Sequence, residues 1–116
     1  MGKTQESVYL RFLSLCQALD RKQRHEVDAT AMQLLGEIGV AEFNESPKSV
    51  TELMALTHIA SPATVHRKLD DLIKSGLVAT RFALPDRRTK RVHVTAKGHK
   101  FFASRDKLLA LALRAT

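Results

Sequence analysis

Cysteine is almost missing from this chain. Cys16 is the only one in 116 residues, which excludes an internal disulfide framework and any zinc site built from several thiolates. Aromatic residues make up only 5 % of the sequence and tryptophan is absent, so the chain has few platforms on which unpaired bases could stack. No apolar run approaches the roughly 18 residues that a membrane span needs. The opening residues Met-Gly-Lys-Thr-Gln-Glu lack the pattern of a secretory signal, and a cytoplasmic protein is expected. Also missing are a phosphate-cradling glycine loop, a nucleophile elbow and a metal-ligand cluster at a known spacing. His25, His58, His66, His93 and His99 are scattered, and Cys16 falls in an apolar helical stripe where an inert buried thiol is expected. The chain is therefore expected to be no enzyme and to need no cofactor or metal.

What is present is positive charge in one place. The formal net charge is +7. Residues 1–60 hold six Lys/Arg against eight Asp/Glu, whereas residues 61–100 hold ten against three. Such concentration favours a polyanionic partner through counterion release and long-range attraction. The competing reading is a solvated basic face with no partner. The length and an ordinary apolar content predict one globular domain spanning 1–116.

The charge falls on two elements. Leu77–Phe82 and Lys90–Val94 alternate as strands do, and they flank a tip of Pro85, Asp86, Arg87 and Arg88. Before them, Ser61-Pro62-Ala63-Thr64 opens a helix over 62–75 that Gly76 closes: Ser61 is a capping residue, Pro62 suits the first helical position, and Gly76 suits a left-handed cap. Thr51 is expected to cap a short helix, Glu52–His58, joined to the next by a turn of about three residues. Upstream, helices are expected over about 6–19 and, capped by Asp28, over Ala29 to about Val40, with Met32, Leu35 and Ile38 inward. Thr95 should cap a last helix over about 96–113. The fold class is mainly α with a small β-hairpin wing, a winged helix-turn-helix.

On the 62–75 helix, Val65, Leu69, Leu72 and Ile73 cluster on one side, with Arg67 and Lys74 opposite. A helix in the major groove reads bases near its N-terminus, which selects Ala63, Thr64 and Arg67, with His66 at the edge and Ser61 on phosphate. The Arg67 fork matches the N7 and O6 acceptors of guanine; its competing use is an i,i+4 ion pair with Asp71. In the wing, Asp86 either holds an arginine for the minor groove or merely initiates the turn, and Lys90 and Arg91 favour the first. Phe82 is expected in the core.

The sequence here resembles the winged-helix regulators of the MarR type. The likeness covers about Ser49 to Gly98 and rests on Ser61 through Leu69, Leu72, Gly76-Leu77-Val78, Asp86-Arg87-Arg88, Val92, Val94-Thr95 and Gly98. It implies a transcription factor binding double-stranded DNA, with Ser61 to Lys68 in the major groove and Arg87 or Arg88 at the minor groove. The expected DNA-facing set is Ser61, Ala63, Thr64, His66, Arg67, Lys68, Lys74, Arg87, Arg88 and Lys90. The chain departs from the family at Pro62, where a polar or basic residue is common. Only 18 residues follow Gly98, fewer than the paired helices of the family would take, which leaves a small-molecule effector open. Independently, the first and last helices carry more apolar surface than one core contact uses, which predicts a homodimer. A winged-helix adaptor that binds protein instead of DNA is the alternative.

Overall fold

Side-chain caps set the helix starts. The computed structural model describes residues 7–22 and 27–114. In chain order these form α1 (Val8–Lys22), α2 (Ala29–Phe43), α3 (Val50–Met54), α4 (Pro62–Lys74), β1 (Val78–Phe82), β2 (Lys90–Val94) and α5 (Ala96–Arg114). Asp28 accepts the Ala31 N–H at 2.9 Å to open α2. Ser61 caps α4 through the Thr64 N–H, with Pro62 in the first turn, and Thr95 Oγ1 accepts the Gly98 N–H at 3.1 Å to open α5. Gly76, at φ +81°, takes the left-handed turn that ends α4.

The described residues fall into two compact units: 27–99, and 7–22 with 100–114. In the first, the core lies where α2, α3, α4 and the base of the hairpin meet, around Leu34, Leu53, Val65, Leu72 and Val92, each fully buried. The strands are antiparallel, in the register Val78↔Val94, Thr80↔Val92 and Phe82↔Lys90. In the second unit, Arg11 donates to the Ala112 carbonyl and Arg105 pairs with Asp20 at 2.8 Å, so α1 and α5 run antiparallel. No residue of α1 is buried. Cys16 is half-buried, short of the full burial expected; burial pushes its thiol up, against the nearby Arg105 charge. No helix among the described residues is long and apolar enough to cross a membrane.

Several expectations need correction. Ser49, not Thr51, caps α3, because Glu52 stands three residues on and returns a bond to the Ser49 N–H in a full capping box. That helix ends at Met54, and residues 55–61 form a longer connection of turns, held by Thr57 N–H to Ala55 O and Ile59 N–H to Leu56 O. Helix α2 runs three residues past Val40, through both Gly36 and Gly39, because its inward face of Ala31, Leu34, Leu35, Ile38 and Ala41 is buried and outweighs their weak propensity. Met32 is only half-buried. Helix α1 continues past Leu19 to Lys22; its expected start at Glu6 lies outside the described residues. Ile73 is 38 % exposed, since it sits about 80° round the helix from Val65 and the core reaches only the narrower stripe. Phe82 is 50 % exposed: its register places it opposite Lys90 at the loop end of the hairpin, beyond the core, with the Lys90 ammonium 5.3 Å from the ring centroid.

Candidate nucleic-acid interface

Helix α4 has two faces. Val65, Leu69 and Leu72 are buried on one side, and the opposite side lies toward solvent. Ala63, Arg67 and Lys74 are exposed there together. Arg67 makes no ion pair with Asp71; among the described residues, no partner lies within ion-pair or hydrogen-bond reach of its guanidinium. At the N-terminal end, the Ser61 hydroxyl donates to Thr64 Oγ1 at 3.0 Å. Its oxygen also takes the Thr64 N–H, so both hydroxyls are held at the helix start. His66 is exposed and lies 3.6 Å from Asp70 one turn on.

The wing is ordered by one carboxylate. Asp86 accepts the Arg88 N–H at 2.8 Å through Oδ1 and the Thr89 hydroxyl at 3.2 Å through Oδ2. The Arg88 Nε is 3.5 Å away and the Arg88 side chain is 95 % exposed. These bonds hold the Asp86 carboxyl below the usual range, the Arg88 backbone N–H contributing most. Asp86 thus orders the turn, and its approach to the Arg88 guanidinium is the looser contact. Arg87, Arg88 and Lys90 are all exposed at the tip.

Arg91 belongs elsewhere. Its guanidinium bonds Glu52 at 2.9 Å and the Pro47 carbonyl at 3.3 Å. It ties β2 to the start of α3 instead of joining the tip. The Glu52 carboxyl is held low first by the Ser49 N–H, then by Arg91. A further link escaped sequence reasoning: Lys48 O accepts the Val92 N–H and Ser49 bridges Arg91, which makes 48–49 a third partner for the hairpin. A two-residue segment carries no alternation to read. Between this foot and the wing tip lies a groove of about 430 Å³, lined by Ser49, Val50, Thr51, Arg88, Thr89 and Lys90.

Lys68 is the one expected contact that the structure turns away from this surface. Its side chain is 16 % exposed, and its ammonium lies 2.5 Å from the second oxygen of Asp28. The bond to Lys68 is the main reason that the Asp28 carboxyl sits below its ordinary value; the Ala31 N–H adds to it. Asp28 itself was legible only as a cap. Among the described residues no group of three or more His, Cys, Asp or Glu side chains is placed to hold a metal ion.

No protein-family model and no curated protein matches the sequence. Solved structures do match its fold. The chain is similar to the transcriptional regulator Tm0710 from Thermotoga maritima, at 18 % identity and TM-score 0.67 over 93 % of this chain and 68 % of that one. It is also similar to a MarR-like transcriptional regulator from the same organism, at 20 % identity and TM-score 0.63 over 99 % of this chain and 84 % of that one. A third is FabT from Streptococcus pneumoniae, solved in complex with DNA, at 18 % identity and TM-score 0.65 over 94 % and 73 % of the two chains. The chain has the winged-helix fold of the MarR-type regulators.

Proposed function

We propose that a chain with this fold, this exposed face of α4 and this wing binds double-stranded DNA as a cytoplasmic transcriptional regulator. The observation that carries the reading is the Ala63–Arg67–Lys74 face, whose arginine is exposed and without a counter-ion among the described residues. A bare guanidinium on a helix anchored from behind is preorganised for base edges. Ala63 keeps that face close to the groove floor, Thr64 and Ser61 supply hydroxyls, and His66 lies at the edge. The Asp86-ordered tip carries Arg87, Arg88 and Lys90 to the adjacent backbone or minor groove, where they add affinity more than sequence choice. FabT, of similar fold, was solved with DNA bound.

The unit of α1 and α5 supports a homodimer. Tyr9 and Leu10 on α1 and Leu109 and Leu111 on α5 are exposed, an apolar surface that a second copy would cover. A two-fold pair would present two α4 helices to successive major grooves.

Binding to a random-sequence duplex across a salt titration tests the reading. Affinity is expected to fall steeply with salt, and Arg87→Ala/Arg88→Ala should flatten the log–log slope by about 2. Arg67→Ala should relax base preference in sequences selected from the bound pool, at a cost of roughly 1–3 kcal/mol at the base it reads. No binding at low salt would overturn the reading and put protein recognition by the winged helix in its place.

A further inference from the structure

The basic residue that departs from the DNA-facing surface has a different task. We infer that Lys68 is a positioning residue, and that its bond to Asp28 fixes the rotation of α4 on α2 so that Arg67 and Lys74 face outward. This rests on the DNA-binding reading for its consequence, but the strut itself stands on the geometry of the free protein.

Successive residues of a helix are turned by about 100°, so Lys68 lies about 60° from Val65 and about 100° from Arg67. It flanks the core stripe instead of the exposed face. Apolar contacts of Val65, Leu69 and Leu72 hold α4 against the core but have little directional preference. A charge-assisted bond has direction. Asp28 is suited to receive it because its two oxygens have separate partners: one takes the Ala31 N–H and locks the first turn of α2, and the other takes the Lys68 ammonium at 2.5 Å. The acceptor is thereby fixed by the helix it caps, and the recognition helix is referred to that fixed point. Lys68, with a side chain only 16 % exposed, is the better shielded of the two; Asp28 is 55 % exposed.

Positioning and phosphate contact predict opposite signs. Asp28→Asn removes a negative charge from a DNA-binding protein and keeps a good cap. Simple electrostatics, or a Lys68 released to phosphate, would tighten binding; loss of the strut weakens it. Lys68→Met keeps the aliphatic stem and removes the ammonium. We expect both variants to bind a random-sequence duplex several-fold more weakly. The slope of log affinity against log salt should stay as in the unmodified protein, whereas loss of a true phosphate contact lowers it by about 0.9. Tighter binding by Asp28→Asn, or a reduced slope in Lys68→Met, overturns the inference. A second arm needs no DNA: in urea unfolding, Asp28→Asn/Lys68→Met should lose less than the two single losses added together. Strict additivity there removes the strut. Non-additivity in a protein that binds no DNA keeps the strut and removes the regulator.

Discussion

One methyl group at position 98 would separate α5 from the hairpin. A Cβ built on Gly98 would lie 2.3 Å from the Leu77 carbonyl oxygen and 2.5 Å from Val94 Cγ1. That oxygen cannot retreat freely, because it accepts the Thr95 N–H at 3.0 Å. In an open helix, glycine to alanine gains about 1 kcal/mol. Here Gly98→Ala is expected to lose roughly 1–3 kcal/mol through overpacking, read as a lower urea midpoint. Gly36 is the control: a Cβ there meets nothing within 4 Å, so Gly36→Ala should raise the midpoint. Residue type in the sequence marks both glycines; only the surroundings tell the tolerant one from the intolerant one.

At the scale of elements, the wing and the helix starts depend on ionised carboxylates. Asp86, held low mainly by the Arg88 N–H, orders the tip. Glu52, held low mainly by the Ser49 N–H, closes the capping box of α3, and Asp28, held low mainly by Lys68, serves α2 and α4. A carboxyl depressed in the folded state contributes stability that is complete above its unfolded pKa and lost as pH falls through the folded one. With unfolded values near 4, stability should begin to fall below about pH 5 and go on falling as pH drops through the lower folded values. The Arg88 amide proton should report it locally: its NMR shift is expected to titrate with a midpoint below the ordinary aspartate value, and Asp86→Ala should abolish that transition. Elsewhere the same scale is governed by burial. Leu72 is fully buried on α4, and Leu72→Ala should cost about 2–5 kcal/mol in unfolding experiments.

For the whole molecule, the two units divide the work that the proposed function requires. Residues 27–99 hold α4 and the wing, and 7–22 with 100–114 hold the apolar surface assigned to self-association. Sedimentation of the purified protein is expected to show a dimer. Leu111→Glu, a change on a side chain already 48 % exposed, should shift it to monomer without unfolding the chain. A monomer at all concentrations would refute self-association. On DNA the Leu111→Glu monomer should still bind, but with the weaker affinity of a single α4 and wing.

Local chemistry determined much of this protein directly from sequence. Ser61, Pro62 and Gly76 punctuate α4 because caps act within a few residues, and the alternation of 77–82 and 90–94 specifies a hairpin because strand periodicity is also local. The basic cluster follows from counting alone. What the tertiary structure decided is where each charge points and which apolar residue finds a core. Lys68 meets Asp28 forty residues away, and Arg91 meets Glu52 across thirty-nine. No pattern within a window of one helix or strand encodes either pair. Phe82 and Ile73 read as core residues by type and phase, yet the core stops short of both. Periodicity gives direction about an axis, whereas burial depends on what the rest of the chain brings to that side.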